Sequence, residues 1–173
     1  MPIMINGVPQ LYGLYPVLNI NVNNQVGSTY SLVYTAVAAY YGGVLAPNGD
    51  IHFVPLNATV GQKISPAGLV STYSLVYTVA NAYAGGVLAP NGDIHFVPYY
   101  ATVGQKISSA GLVSTYSLVY TVAAAYAGDV LAPNGDIHFV PLYTTVGQKI
   151  STVTVTVNLF PQAVCESPWL NKF

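Results

Sequence analysis

The sequence predicts an all-β protein built from three copies of one small antiparallel sheet. Three observations lead to this prediction. Blocks of sequence recur at a constant offset of 43 residues, each block carries an Asn-Gly hairpin signal, and the flanking segments are rich in β-branched and aromatic residues. A chain of 173 residues is long enough for one domain or one repeat array.

The repeat is the strongest of these signals. The block 48–55 recurs at 91–98 and at 134–141, always at the same offset of 43. Residues 30–72 and 73–115 are identical at 36 of 43 positions. Self-similarity at a fixed period of this length is typical of arrays and propellers, so the repeat unit is also the expected folding unit.

Each repeat is expected to contain four strands, which we call A to D in chain order. In the first full repeat, strand A covers 42–47 and strand B covers 50–55. A two-residue loop, Asn48-Gly49, should join them because both residues tolerate positive φ. Strand C is expected at 59–65 and strand D at 72–78, and no segment has a convincing helical period.

Four antiparallel strands within 43 residues match the size of one β-propeller blade. The string GGVLAPNGDIHFVP at 42–55 resembles the inner-hairpin motif of kelch-like β-propeller repeats in large bacterial and phage proteins. The motif covers about a third of each repeat. The resemblance implies a propeller-type array whose blades stack radially, and it implies little about function.

The expected blades cover 42–78, 85–121 and 128–157, with 152–157 in the place of the last strand D. Two more strands are expected upstream, at 17–23 and 29–35. Three blades are too few to close a propeller. Either the terminal segments complete a fourth blade, or several chains pool their blades in a homo-oligomer, and we favour the oligomer.

The domain organisation follows from this division. We expect an N-terminal strand segment at 1–29, the three-repeat array at 30–157 and a C-terminal docking tail at 158–173. The tail contains Trp169, Leu170 and Phe173, whose burial would stabilise a docked position by about 2 kcal/mol each.

Composition excludes several classes of function. The chain is 53% hydrophobic and only 5% charged, with a net charge of −1 and no arginine. It therefore lacks the basic patch that nucleic-acid binding needs. No secretory signal is visible at the N-terminus, and no apolar stretch reaches the roughly 20 residues that a membrane span requires.

The charged residues offer little for catalysis. Most of them fall at repeat-equivalent positions: Asp50, Asp93, Asp136, Lys63, Lys106 and Lys149. An active site combines different groups in one asymmetric pocket, and a threefold repetition of Asp, His and Lys does not supply one. We therefore predict that the chain is not an enzyme and has no catalytic residue, cofactor or metal.

The candidate metal ligands are three histidines, His52, His95 and His138. Related by the repeat, they could in principle surround a channel and bind Zn²⁺. We favour the alternative that each histidine packs between blades and forms a local hydrogen bond. Strand B is not the innermost strand, so its side chains should not converge on the axis.

Differences between the copies concentrate in the D-to-A and B-to-C connections, which emerge on one rim of an antiparallel array. Loops on a rigid scaffold commonly carry recognition, and tyrosine suits a contact surface. The predicted ligand-binding face consists of Tyr40, Tyr41, Asn57, Asn81, Tyr83, Tyr99, Tyr100, Tyr126, Asp129 and Tyr143. The alternative is that this rim simply tolerates change.

These observations predict a non-enzymatic recognition module on a virion or cell surface, similar to a tail-fibre or adhesin element. Its partner would be a glycan or a surface protein. The alternative is a structural, self-assembling virion coat or decoration protein. A virion or extracellular surface is the expected location.

Overall fold

The computed structural model describes residues 27–152 and two short N-terminal strands, β1 (Met4–Ile5) and β2 (Val8–Pro9), which pair antiparallel. The chain divides into two compact units, Met1–Tyr30 and Ser31–Phe173. The strand expected at 17–23, the segment 153–157 and the tail 158–173 lie outside the described residues.

The described residues of the second unit form three antiparallel sheets and no helix. Blade 1 comprises β3 (Tyr40–Leu45), β4 (Ile51–Pro55), β5 (Val60–Ile64) and β6 (Val70–Ser74). Blade 2 comprises β7 (Tyr83–Leu88), β8 (Ile94–Pro98), β9 (Val103–Ile107) and β10 (Val113–Ser117). Blade 3 comprises β11 (Tyr126–Leu131), β12 (Asp136–Pro141) and β13 (Gln148–Ser151). In each sheet the strands follow chain order, so the predicted all-β class with four-stranded antiparallel blades is confirmed.

The loop between strands A and B is longer than expected. Leu45 pairs with Ile51, and the turn between them is closed by the Gly49 N–H donating to the Ala46 carbonyl at 2.9 Å. Gly49 has a φ of +87°, and the Asp50 N–H donates to the Asn48 side chain at 3.0 Å. The predicted two-residue loop is therefore wrong, because proline before the Asn-Gly pair favours an ordinary β-turn followed by a left-handed glycine.

Strand D also differs from its expected bounds. It covers Val70–Ser74 rather than 72–78, and Ser74 pairs with Val60. Beyond Ser74 the chain leaves the sheet, because the N–H groups of Val76 and Tyr77 donate to the side chain of Gln105 in the next blade. Segment 29–35 is the equivalent connection before blade 1, and it forms no strand.

The hydrophobic cores lie between blades rather than within them. Val44 and Val54 of blade 1 pack with Tyr83, Ile94 and Phe96 of blade 2. A second cluster joins blades 2 and 3 in the same way. The strands A of successive blades are neighbours, since β7 contacts both β3 and β11. This is the radial stacking of sheets expected for a propeller.

Candidate functional sites on the two rims

The connections between strands define two rims. Main-chain hydrogen bonds join the B-to-C connection of one blade to the D-to-A connection of the next: Ala82 N–H donates to the Leu56 carbonyl at 2.8 Å, and Ala124 N–H to the Tyr99 carbonyl at 2.7 Å. We call this side the tyrosine rim. The A-to-B turns and C-to-D connections form the opposite side, the hairpin rim, where Gly49 faces Pro66.

Three tyrosines of the predicted binding face are core residues. Tyr83 and Tyr126 are fully buried, and Tyr40 is partly buried against Phe53. Their hydroxyls donate to carbonyls of strand C or its start, at 2.9–3.0 Å. Burial raises the pKa of Tyr40 to about 12. Their assignment to a ligand surface is corrected, because ring and hydroxyl are both used inside the blade.

Two asparagines of the predicted face form a hydrogen bond that joins neighbouring blades. The Asn57 side chain accepts a hydrogen bond from the Asn81 N–H at 2.8 Å and donates to the Ala38 carbonyl at 3.2 Å. Asn81 has a φ of +55°, a left-handed conformation that asparagine tolerates better than most residues. Both residues lie on the tyrosine rim, where these bonds use the side-chain amide of Asn57 and the main-chain N–H of Asn81.

Asp129 lies away from the rim, on the innermost strand of blade 3. It pairs with Phe139 beside a β-bulge, at the position that Gly43 and Gly86 occupy in the other blades. Burial raises the pKa of its carboxyl group above the usual range. This placement corrects its assignment to the rim surface.

Four tyrosines remain accessible to some degree. Tyr99 and Tyr100 form an edge-to-face pair in the B-to-C connection of blade 2, with ring centroids 4.9 Å apart. Tyr143 occupies the equivalent connection of blade 3 and is 74% exposed. Tyr41 is exposed too, but it lies on strand β3 rather than in a connection. The tyrosine rim therefore keeps three of the ten predicted residues as available aromatic contacts.

A different feature recurs on the hairpin rim, which the variation between copies had not singled out. A cleft of about 330 Å³ lies between blades 1 and 2, and one of about 370 Å³ lies between blades 2 and 3. Asn48, His52, Lys63 and Tyr73 line the first cleft from blade 1. The residues 43 positions later line the second: Asn91, His95, Lys106 and Tyr116.

The charges in each cleft are paired. Lys63 Nζ lies 2.6 Å from Asp50 Oδ2, and the pair Lys106–Asp93 has a distance of 2.7 Å. The hydrogen bond from Lys63 holds the pKa of the Asp50 carboxyl below its usual value. These carboxylates are therefore ionised at neutral pH and already matched by a cation.

His52 and His95 are buried and form local hydrogen bonds, as the favoured alternative predicted, whereas His138 is exposed. His52 Nδ1 lies 3.3 Å from the Tyr73 hydroxyl, and His95 Nδ1 has the same distance to Tyr116. Burial, with a further contribution from Lys106, lowers the pKa of His95 to about 4. The described residues contain no cluster of three His, Cys, Asp or Glu side chains that could hold a metal ion.

Sequence reasoning missed the residues that position these clefts. Gln62, Gln105 and Gln148 each accept two main-chain N–H groups from the connection that enters their blade. Gly61 and Gly104 lie directly under the rings of Tyr73 and Tyr116, where a Cβ would overlap the ring. The available signal was a Gly-Gln-Lys triplet that is identical in all three copies.

In the described part of the chain, no helix is long and apolar enough to cross a membrane. No protein-family model and no curated protein sequence matches the chain.

Solved structures do match. A catalytically inactive variant of virginiamycin B lyase from Staphylococcus aureus, crystallised with quinupristin, is 23% identical over 65% of this chain, with a TM-score of 0.52. The selenomethionine form of that lyase is 22% identical, with a TM-score of 0.52. A streptogramin B lyase is 22% identical over 64% of this chain, with a TM-score of 0.55. The chain spans only 40% and 36% of the length of these lyases.

These neighbours correct one prediction. The repetition of Asp, His and Lys led us to predict that the chain is not an enzyme, and the similarity to lyases overturns that prediction. Repeated blades do not exclude catalysis, because this architecture also carries enzymes. At 22–23% identity, what the chain shares with the lyases is the β-propeller fold.

Proposed function

We propose that this β-propeller chain is a recognition module that binds a neutral, hydroxyl-rich ligand such as a glycan on its tyrosine rim. The observation that carries the proposal is the accessible Tyr99–Tyr100 pair. We also propose that the chain is a kelch-like bacterial or phage element on a virion or cell surface. This assignment is supported by the motif at 42–55.

The chemistry of the pair suits such a ligand. Tyr100 is 44% exposed, and its ring meets the Tyr99 ring at 72°, so the pair presents an aromatic face and a ring edge together. A tyrosine combines a broad apolar surface with a hydroxyl that can donate or accept. Few rotatable bonds are frozen on binding, which keeps the entropic cost low.

The backbone under the pair is fixed before any ligand arrives. The N–H groups of Tyr99 and Tyr100 donate to the carbonyls of Ala82 and Asn81, and the Tyr99 carbonyl accepts from Ala124 of blade 3. A preorganised surface binds more tightly because less ordering is required on association. The low charge of the chain favours a neutral ligand, because little long-range field exists to attract an ionic one.

The repeats supply a variant that tests the proposal without a new backbone. Tyr99→Leu with Tyr100→Asn converts the blade 2 connection into the sequence that blade 1 carries at Leu56 and Asn57. We expect this double variant to lose glycan-array binding while keeping the unfolding midpoint of the parent protein. A parent that binds no glycan, or a variant that binds as the parent does, would contradict the proposal.

A matched control exists on the other rim. Ser109→Pro converts the blade 2 C-to-D connection into the blade 1 sequence, which has Pro66 there. It should leave glycan binding unchanged. A self-assembling coat or decoration protein remains the alternative prediction for the whole chain.

A further inference from the structure

The interface between blades 1 and 2 has two chemically distinct halves. Blade 1 contributes a pair of valines, Val44 and Val54, which are 7% and 0% exposed. Blade 2 contributes Gly86 at their level: a Cβ built there would lie 3.0 Å from Val44 Cγ2 and 3.1 Å from Val54 Cγ2. Valines on one sheet therefore fit against a glycine on the next, with no room for a larger side chain.

Blade 3 presents the valine half of this interface with nothing packed on it among the described residues. Val130 and Val140, the equivalents of Val44 and Val54, are 57% and 41% exposed. They border an open groove of about 520 Å³ that also contains His138 and Lys149. The valine pair that is buried in blade 1 is thus exposed to solvent in blade 3.

Blade 1 presents the complementary half. Gly43 occupies the position of Gly86, and Ile51 occupies that of Ile94. Ile94 is 2% exposed inside the array, whereas Ile51 is 40% exposed at its edge. The two outer faces of the array are therefore the two halves of an interface that the chain already builds between its own blades.

We propose that a second copy of this chain docks head-to-tail, so that the face of blade 1 in one copy packs on the face of blade 3 in the other. The interface between blades 1 and 2 identifies the partner as a second copy of the chain, because the same residue types already pack together there. Such contacts are heterologous, so repeated docking gives a closed ring or an open filament, depending on the rotation between copies. This assembly is independent of glycan recognition on the tyrosine rim.

Docking would also complete a third cleft. The first cleft takes Ile107, Ser108 and Ser109 from the following blade. The equivalent residues of blade 1 are Ile64, Ser65 and Pro66. In the proposed assembly the second copy supplies these three residues beside the first copy's His138 and its Lys149–Asp136 ion pair, which has a distance of 2.6 Å.

Two variants of the full chain test the proposal, each blocking one face. Gly43→Lys places a cation where the partner's valines would pack, and within one copy a Cβ built at position 43 meets no atom of the described residues closer than 3.4 Å. Val140→Lys places a cation on the opposite face, at a side chain that is already exposed, so that the charges introduced in the two variants repel each other. Burying an unpaired charge at an interface weakens association by about thirtyfold or more.

Light scattering after size exclusion should show that the parent chain associates as concentration rises and that each variant alone is monomeric. An equimolar mixture of the two variants should form a dimer and no larger species, because each variant keeps one intact face. A Leu112→Lys control alters an exposed side chain on the hairpin rim and should associate as the parent does.

Three outcomes would overturn the proposal. They are a monomeric parent chain, single variants that still associate, or a mixture that stays monomeric. Circular dichroism and unfolding midpoints that match the parent would show that the variants remain folded, so that loss of association reports on the faces themselves.

Discussion

Gln105 lies on strand C of blade 2, and Tyr77 lies in the connection that follows strand D of blade 1. The Tyr77 N–H donates to Gln105 Oε1 at 2.8 Å. The same oxygen accepts the Val76 N–H at 3.0 Å, so one side chain holds the chain at the point where it leaves strand D of blade 1. Gln105 is completely buried. Blade-to-blade geometry thus depends on one uncharged polar residue in strand C.

Replacing Gln105 with methionine should destabilise the protein. The substitution keeps the length of the side chain but leaves two main-chain donors without an acceptor, which costs about 2 kcal/mol or more. Urea unfolding followed by circular dichroism measures the loss. Gln148→Met is the matched control: its bond from Val119 lies at an exposed position, where water can replace the lost acceptor. Equal losses for both variants would contradict the role assigned to Gln105.

Gly104→Ala should also destabilise the protein, because the added methyl group would overlap the ring of Tyr116. That ring is held in place by His95, so relief requires movement of a buried pair. Overpacking of this kind costs about 1–3 kcal/mol. Gly147→Ala makes the same change in blade 3, where no atom of the described residues lies within 4 Å of the added Cβ. Its free energy of unfolding should stay within about 0.5 kcal/mol of the parent.

Mild acid should weaken the fold through the buried histidines. The pKa of His95 is about 4 in the folded protein, mainly because of burial, and about 6.5 in the unfolded chain. Stability from this difference is complete above pH 6.5 and is lost as the pH falls toward 4. One pKa unit corresponds to about 1.4 kcal/mol, so the loss should reach roughly 3 kcal/mol.

Urea unfolding at pH 7, 5.5 and 4.5 would measure this loss, and a His95→Gln variant should show a flatter dependence. The low pKa of Asp50 acts in a separate window, because its contribution is lost only as the pH falls below about 3.8. A parent and a variant with the same pH profile above pH 4.5 would show that His95 does not carry the effect.

Asp129→Asn should stabilise the protein at neutral pH. Burial raises the pKa of the Asp129 carboxyl, so the folded state disfavours the ionised form that exists at pH 7. The stability lost by the parent as the pH rises through this pKa is not lost by the amide. The difference in unfolding midpoint should therefore shrink as the pH falls toward 3, and a difference that is constant with pH would argue against a charge effect.

Much of the fold could be predicted because its signals are local. The 43-residue period and the turn around Asn48-Gly49 fix the number of blades and the position of the inner hairpin. The strand ends could not be predicted in the same way. Pro47 lengthens the turn. Strand D ends at Ser74 because the side chain of Gln105, 31 residues later, accepts a hydrogen bond from the Val76 N–H.

The candidate sites were harder to predict for two reasons. Tyr40, Tyr83 and Tyr126 occupy the same repeat position, and a tyrosine that is identical in every copy indicates a structural role rather than a variable contact surface. The clefts form only where two blades meet, so neither blade alone contains the complete site. His52 and Ser109 are 57 positions apart in the sequence, and they line the same cleft only because the blades stack.

The position of the cores between blades has a consequence for how such a chain can change length. Recombination between near-identical copies of the coding segment would insert or remove 43 residues in frame. Each such event adds or deletes one sheet together with one complete blade-to-blade contact, so the remaining contacts between blades stay intact. The number of blades can therefore change by recombination without requiring a new type of contact between blades.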